Sequence, residues 1–383
     1  MNGKPKKKWI LKVFVFLLAL YLIWLAALLL RYRQPQAKPS EREGPPFEIQ
    51  GVYHIHTTFS DGQKPPDKIA EIASRKPLSF IILTDHGNPN LACVAAQGWK
   101  DKVLVLAGSE LSVSRGHLVA LDFNLPSAPF SQNAEQAARE VEACAGFSVI
   151  AHPFSKVRWS WGKTFEFSGL EIIDSDTMIK RNFFSSLLYL PAVLVKPGLY
   201  LLKTLERPTQ TLRKWDELNA QPPVYGYISA DAHLFYSGLF SCFRLHVLLQ
   251  EPLSHDFETA KAQVFGALRQ GRFYNAIEAA GSARGFLFWV ERGQAKFPMG
   301  SAIPFDPRAQ VKLRVKTLFP FKVKTLFIRN GETILSSEKR EISLTPERPG
   351  VYRVEIYLQG WSPLARNIPW IISNPIFLSE DEK

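Results

Sequence analysis

The sequence predicts an α/β fold in which a mostly parallel sheet or barrel is preceded by one transmembrane helix and followed by an antiparallel β-sandwich. Three observations support this. Residues 13–30 form an apolar run without a charge. Between residues 47 and 284, short β-branched runs alternate with helical stretches. From residue 285 onward helical periodicity disappears. The chain of 383 residues is long enough for two domains besides the helix.

The apolar run at residues 13–30 is long enough to nearly cross a bilayer. A cleaved signal peptide has a shorter apolar region and a small-x-small cleavage site, and a buried helix is rarely apolar all round. We therefore expect an uncleaved anchor and a single-pass membrane protein. The lysine-rich tail, residues 1–12, favours an extracytoplasmic main chain, whereas Arg31 and Arg33 oppose that orientation. Residues 31–46 are interpreted as a linker.

The net charge of +12 comes partly from the basic residues that flank this run. The other basic residues are spread without a long basic run, so a nucleic-acid partner is not indicated. The three cysteines lack CxxC spacing and do not indicate a disulfide framework or a Cys-zinc site. Composition does not indicate an oligomeric state.

Seven strand-like runs occupy the first predicted domain, residues 47–284. They are residues 51–56, 80–86, 103–110, 117–122, 148–153, 170–174 and 225–233. Three helices are predicted between them, at residues 67–75, 131–146 and 255–271. Ser131 is expected to cap the second helix, Gly146 to end it and Gly271 to end the third.

Side chains able to bind metal gather in or at the ends of these runs. The set comprises His54, His56, Asp85, His86, Glu110, His117, His152, Glu171, Asp231 and His233. Six of the eight histidines lie in these runs, and His246 and His255 are interpreted as ordinary core or surface residues. In a β/α barrel the carboxyl ends of the strands share one face, where chemistry is concentrated. The sequence therefore predicts one polar cluster.

Histidines two positions apart on a strand point to the same face and can share one ion. Mixed nitrogen and oxygen ligands suit zinc, manganese or iron better than calcium. A carboxylate such as Glu110 can bridge two ions, and such a pair activates water and stabilises a leaving oxygen at phosphorus.

Five motifs in order then resemble the polymerase and histidinol phosphatase (PHP) domain superfamily across residues 50–280. They are HIHTTFSDG, TDH at 84–86, GSE at 108–110 with GH at 116–117, AHP at 151–153 and SADAH at 229–233. The resemblance implies a distorted seven-fold β/α barrel that holds two or three divalent metal ions at the strand ends and hydrolyses a phosphoester substrate.

Residue by residue, the resemblance implies three ligand groups. The first is His54, His56, Glu110 and Asp231; the second is Glu110, His117 and His152; the third is Asp61, His86 and His233. A hydroxide between the ions is the implied nucleophile, and Glu110, Asp231 and His233 are the candidate catalytic residues.

Further residues are candidates for supporting roles. Asp85 is expected to orient a ligand histidine. Glu171 is either a supporting or substrate-facing residue or a simple strand-end carboxylate. Phosphate oxygens would need a cation, and each candidate could equally be a plain surface charge. The candidates are Arg115, Lys156, Arg158 and Arg244.

An insertion at residues 177–223 contains the apolar stretch 183–205, flanked by basic residues. Pro191 and Pro197 prevent a single spanning helix. Two alternatives remain open: short helices packed on the barrel, or a basic, apolar hairpin that lies on the membrane beside the anchor.

The last predicted domain, residues 285–383, is interpreted as an antiparallel β-sandwich joined at residues 281–285. Asn330-Gly331 lies between two strand-like runs and predicts a hairpin. Alternate residues of the run 351–358 are apolar and share one face.

The leading functional hypothesis is a membrane-anchored, metal-dependent phosphoesterase. Nuclease activity ranks lower because no aromatic-basic stacking motif is evident. The alternatives are hydrolysis of a non-phosphate bond and a non-enzymatic envelope binding or assembly protein with structural metals and a partner-binding sandwich. Nine candidate ligands for three ions leave coordination positions open, which favours an enzyme.

Overall fold

The computed structural model describes residues 5–32, 47–155, 158–162, 167–219, 223–319, 322–360 and 367–380. Its helices are α1 (Pro5–Arg31), α2 (Pro66–Ser74), α3 (Leu91–Ala95), α4 (Ala134–Ala143), α5 (Ser175–Arg181), α6 (Phe183–Tyr189), α7 (Ala192–Val195), α8 (Pro197–Thr204), α9 (Thr209–Leu218), α10 (Tyr236–Phe240) and α11 (Phe257–Arg269). A 3₁₀ turn covers Glu278–Ala280.

The strands form one large mixed sheet and one antiparallel sheet. In chain order they are β1 (Glu48–Ile55), β2 (Phe80–Leu83), β3 (Gly98–Lys100), β4 (Val103–Val113), β5 (Gly116–Leu121), β6 (Phe147–Ala151), β7 (Gly169–Asp174), β8 (Tyr225–Ser229), β9 (Phe243–Leu248), β10 (Phe273–Ile277), β11 (Phe286–Arg292), β12 (Ala295–Pro298), β13 (Ala302–Phe305), β14 (Val311–Thr317), β15 (Val323–Arg329), β16 (Glu332–Ser337), β17 (Glu341–Leu344), β18 (Gly350–Leu358), β19 (Ile371–Ser373) and β20 (Ile376–Glu380).

Each of the seven predicted runs contains a strand, and the seven strands are neighbours in the order β1, β2, β4, β5, β6, β7, β8. All neighbours pair in parallel except β5, which is antiparallel to β4 and β6. The two ends of this path also meet. The amide of Ala230 donates to the carbonyl of Tyr53, and the amide of Ala232 donates to that of His54. The carboxyl ends of β1 and β8 are thereby adjacent.

The predicted helices are present, but α4 begins two residues later than expected. Asn133, not Ser131, is its N-cap, because the Asn133 side chain accepts a hydrogen bond from the amide of Gln136. The Ser131 hydroxyl instead accepts from the amide of Asn133. At the end of α11, Gly271 has φ +65°, a conformation that favours glycine.

The C-terminal segment contains the expected second, antiparallel sheet, in the order β12, β11, β14, β17. The rest of it continues the large sheet, because β19 pairs with β10 and β18. One contiguous apolar core runs through both parts. The backbone groups on the outer edge of β10 need hydrogen-bond partners, and β19 supplies them. β13 pairs with β20 in parallel, which departs from a purely antiparallel sandwich.

Helix α1 has a span, Lys8–Arg31, that is long and apolar enough to cross a membrane, with mean hydropathy 2.9. A signal sequence near an N-terminus passes the same test of length and composition. The insertion forms short helices rather than one long one. Its helix α8 buries Leu199, Leu201 and Leu202, whereas α6 and α7 expose most of their apolar side chains.

Candidate metal centre

Three of the clustered residues have a backbone conformation that is unusual for a side chain with a Cβ atom. His54, His152 and Asp231 have φ of +66°, +27° and +40°, at or just beyond the ends of β1, β6 and β8. Such conformations cost about 1–3 kcal/mol each and persist where surrounding structure imposes them. The pairing of β1 with β2 also shifts register between Val52 and Ile55. These distortions bring the side chains together at the strand ends.

The first predicted ligand group converges on one point. The Nε2 atoms of His54 and His56 lie 3.1 Å apart, and each is 3.1 Å from Oε2 of Glu110. Oδ1 of Asp231 lies 3.4 Å and 3.3 Å from the same two nitrogens. A tetrahedron with metal–ligand bonds of about 2.0 Å has edges of about 3.3 Å. The ligand atoms of His54, His56 and Glu110 therefore fit one ion, and Oδ1 of Asp231 lies beside the two histidine nitrogens.

The other oxygen of Glu110 faces the second group. Oε1 lies 2.7 Å from Nδ1 of His117 and 2.9 Å from Nε2 of His152. Glu110 is almost completely buried between the two groups. Its carboxylate therefore stands where a bridge between two ions would stand.

The third group lies on the solvent side of His56. Oδ2 of Asp61 is 3.3 Å from Nε2 of His233 and 3.7 Å from Nε2 of His86, and Oδ1 is 3.4 Å from Nδ1 of His56. The ring of His56 stacks on that of His233, with centroids 4.2 Å apart. His56, Asp61, His86 and His233 together can hold an ion, so His56 offers one nitrogen to each of two groups.

Two buried polar atoms in the cluster make no hydrogen bond to the described residues: Nδ1 of His86 and Oδ1 of Asp231. Leaving such atoms unsatisfied is costly. The atoms also form a mixed nitrogen and oxygen donor set that suits divalent transition metals. The residues present therefore fit bound metal ions.

Without an ion, the cluster strongly perturbs the pKa values of its members. Burial lowers the pKa of His54. The carboxylates of Glu171, Glu110 and Asp231 outweigh this effect and hold the pKa well above its usual value. Burial also lowers the pKa values of His56 and His152, but nearby carboxylates outweigh it. Asp231 and Glu110 raise the pKa of His56 to about 9, and Glu110 raises the pKa of His152 to about 9.

The carboxylates shift the other way. Burial raises the pKa of Glu110, but the neighbouring histidines, His54 first, hold it well below its usual value. Burial also raises the pKa of Asp231, but His54 and His56 outweigh it and hold the pKa below its usual value. The carboxylates thus remain charged, and protonated histidine rings balance their charge. Bound metal ions would take the place of these protons.

Glu171 orients two members of the cluster. Its Oε1 lies 2.6 Å from Nδ1 of His54, and its Oε2 accepts a hydrogen bond from the amide of His152. Asp85, expected to orient a histidine, accepts hydrogen bonds from Thr57 and Ser60, and the Ser60 hydroxyl lies 3.4 Å from Nδ1 of His56. Asp85 orders the turn between His56 and Asp61.

Two of the four candidate phosphate-binding cations, Arg115 and Arg244, are held by other partners. Arg115 is bonded to Glu135 and to the carbonyl of Ser160. Arg158 is exposed, and Lys156 lies outside the described residues. The prediction that Arg244 binds a substrate phosphate is wrong. Arg244 is buried, and its guanidinium donates to Gln50 and Glu278 in the core, where a substrate phosphate does not reach it.

Sequence reasoning missed two residues beside the cluster. Asp174 ends β7 and caps α5 by accepting a hydrogen bond from the amide of Thr177. Burial, together with the smaller effect of the nearby Asp231 charge, raises the pKa of Asp174 to about 7. Its position at a strand end was the available signal. Arg181 lines a cavity of about 310 Å³ together with His152 and Glu171. Only tertiary structure reveals that placement, because Arg181 lies in the insertion.

Several solved structures are similar to this chain. PHP-like metal-dependent phosphoesterases are among the solved structures similar to it, the resemblance that the motifs predict. One is a two-domain protein from Bacteroides vulgatus containing a predicted PHP-like metal-dependent phosphoesterase: identity is 14%, the TM-score is 0.45, and the match covers 90% of this chain and 99% of the other.

Two further structures each match 48% of this chain and 87% of their own. A putative metal-dependent phosphoesterase from Bifidobacterium adolescentis has 12% identity and a TM-score of 0.29. An amidohydrolase from Chromobacterium violaceum has 16% identity and a TM-score of 0.28. In sequence, the uncharacterized protein MJ1587 of Methanocaldococcus jannaschii is 24% identical over 116 residues, 27% of this chain and 67% of that protein. No protein-family model matches the chain.

Proposed function

We propose that this protein is a metal-dependent phosphoesterase with a site for two or three divalent ions on a distorted seven-fold β/α barrel. The supporting observation is the position of Glu110, whose two carboxylate oxygens face two separate sets of histidine nitrogens. Zinc, manganese or iron suits these ligands. The partly exposed side of the third group, where Asp61 and His233 lie, leaves room for water and substrate.

Bound divalent ions would supply an acidified water and neutralise charge that develops at phosphorus. The water oxygen forms a new bond to phosphorus, the ester P–O bond breaks, and the leaving oxygen takes a proton. Glu110 and Asp231 hold the negative charge of the site, and Glu171 fixes the ring of His54. His233 lies on the solvent side, where it would help to hold the outer ion, and the proton that the attacking water gives up is the one that the leaving oxygen takes. Arg181 lines the cavity beside His152 and can bind a phosphate oxygen.

The proposed location is a membrane surface, with α1 as a single-pass anchor and the catalytic part on the extracytoplasmic side. The lysines among residues 1–12, which come before the apolar run, support this orientation. An anchored enzyme would meet phosphoesters of the envelope before soluble ones.

The test uses the full chain in detergent, purified without chelator. We would measure metal content and hydrolysis of generic phosphomonoesters and phosphodiesters, for the native protein and for Asp231→Ala. The matched control is Asp67→Ala, which removes an exposed carboxylate paired with Lys100. We expect bound metal and turnover in the native protein and the control, with both reduced in Asp231→Ala.

Other outcomes separate the alternatives. Bound metal without turnover of any ester, even with added manganese, would favour hydrolysis of a non-phosphate bond or a binding protein with structural metals. Absence of bound metal under all conditions would refute the proposed site.

A further inference from the structure

A second cavity, of about 170 Å³, lies against the metal centre and has mainly apolar walls. Asp231 and His233 contribute to its lining. Ile179, Val193 and Tyr200 come from the insertion, and Leu239 comes from α10. Leu234 and Phe235, which directly follow His233, also line it and are partly exposed. The cavity therefore connects candidate metal ligands with an apolar surface, which hydrolysis of a small polar ester does not require.

The insertion that forms this wall exposes many large apolar side chains on its outer side. We call them the outer apolar face: Phe183, Phe184, Leu187, Leu188, Leu190, Leu194 and Val195. Phe184 and Leu194 are 85% and 90% exposed. Seven large apolar side chains exposed within 13 residues of sequence are typical of an interaction site rather than of ordinary protein surface.

Helix α1 packs against the same insertion. The Tyr21 hydroxyl donates to the carbonyl of Leu188, and the ring of Trp24 lies 5.6 Å from that of Tyr189. Nζ of Lys196 donates to the carbonyls of Leu29 and Tyr32 at the end of α1, where a positive charge is favourable. The helix and the outer apolar face are thus held together.

This packing sets the depth of the insertion relative to a bilayer that α1 crosses. A hydrocarbon core of about 30 Å takes about 20 helical residues. Counted from Trp9, it ends near Leu28. The contacts of Tyr21 and Trp24 with the insertion then lie within the hydrocarbon layer. The outer apolar face consequently reaches into the leaflet nearest the metal centre, where apolar side chains are stable.

We propose that the substrate is an amphiphilic phosphoester taken from this leaflet, with its phosphate at the metal centre and part of its apolar chain in the second cavity. The idea rests on the proposed phosphoesterase function and names its substrate class. The cavity supplies apolar contacts for the chain, and the outer apolar face brings its walls to the level of the lipids.

The test compares esters that differ only in chain length. The full chain in phosphatidylcholine nanodiscs is given two matched pairs: methyl and dodecyl phosphate, and methyl and dodecyl 4-nitrophenyl phosphate. We expect kcat/KM for the dodecyl member of the hydrolysed pair to exceed that for the methyl member by about 100-fold, which corresponds to burial of about three to four methylenes in the cavity at about 0.8 kcal/mol each.

Two variants probe the cavity itself. Val193→Trp fills it, and Phe235→Asp places a charge on its exposed wall, at φ +55°, where aspartate is tolerated. Each should lower the dodecyl-to-methyl ratio at least tenfold. Leu125→Trp, at an exposed site that does not line the cavity, should leave the ratio unchanged.

The outcomes are separable. A ratio near one, or a high ratio that both cavity variants retain, would overturn the amphiphilic substrate while leaving the phosphoesterase function standing. If all four esters are inert with metal bound, the phosphoesterase function fails, and the substrate class fails with it.

Discussion

Oε1 of Glu171 lies 2.6 Å from Nδ1 of His54, and both side chains are fully buried. The pair fixes the ring so that Nε2 points at His56, Glu110 and Asp231. A carboxylate behind a ligand histidine typically strengthens metal affinity 10–100-fold. We therefore expect Glu171→Gln to weaken metal binding by about that factor while the fold is kept, measured by competition with a chelating dye.

The matched control for this change is Glu217→Gln, at an exposed carboxylate paired with Lys214. It should leave metal affinity unchanged. Native-like affinity in Glu171→Gln would show that Glu171 is a simple strand-end carboxylate.

Metal affinity should rise with pH. In the metal-free protein the pKa values of His56 and His152 are about 9, so both rings are protonated at pH 7. An ion must displace these protons, and affinity should increase about tenfold per pH unit for each proton displaced between pH 6.5 and 8.5. Calorimetry with manganese in buffers of different ionisation enthalpy would count the released protons. Equal affinity across this range, with no protons released, would contradict the prediction.

The same shifts predict the stability of the metal-free protein. A histidine whose pKa is raised on folding stabilises the folded state fully below its unfolded pKa of about 6.5. That stabilisation is lost as pH rises through about 9. We expect chelator-treated protein to melt at a lower temperature at pH 9 than at pH 7. A melting temperature that rises over this interval would show that the rings are neutral.

His246, one of the two histidines outside the motifs, should matter for stability. His246 is fully buried, with Nδ1 2.6 Å from Glu48 and Nε2 3.1 Å from Glu278. Removing the ring leaves two buried carboxylates without this partner, at a cost of about 3–5 kcal/mol. His246→Leu should therefore lower the free energy of unfolding by about this amount in chemical denaturation. His255→Leu, at an exposed position, should change it by less than about 0.5 kcal/mol.

Asn275 ties together strands from both parts of the large sheet. Its Oδ1 accepts from the amide of Ile228, and its Nδ2 donates to the carbonyls of Gly226 and Ile372. Asn275→Ala leaves these buried groups unpaired and should destabilise the protein by about 2–4 kcal/mol. Denaturation should show one transition, since the parts share a sheet. Two separate transitions would show that they unfold independently. The exposed Gln136→Ala serves as control.

Local patterns were sufficient to predict much of this molecule. The seven strands follow from short β-branched runs, because a buried strand needs such side chains on both faces. The candidate ligands follow from polar residues in and at the ends of those runs. The hairpin at Asn330-Gly331 connects β15 and β16, since two-residue turns of this type need residues that accept positive φ.

Other features required long-range contacts. The sequence of Arg244 is compatible with a phosphate-binding cation, yet Gln50 and Glu278, distant along the chain, bury it in the core. Residues 281–285 are predicted as the joint between the two domains, and only the structure shows that β19, which follows this joint, pairs with β10, which precedes it. The sequence left open whether the insertion packs on the barrel or lies on the membrane. The structure shows that α8 buries its leucines, whereas α6 and α7 expose most of their apolar side chains.

By itself the sequence determined which segments form strands and helices and which side chains can bind metal, because periodicity and residue chemistry are local properties. The tertiary structure alone decided that Glu110 faces two sets of histidines, that Glu171 stands behind His54, and that α1 packs on the insertion. These relationships depend on strand order, on distorted backbone at His54, His152 and Asp231, and on contacts between residues more than 100 positions apart. No local pattern encodes such distances.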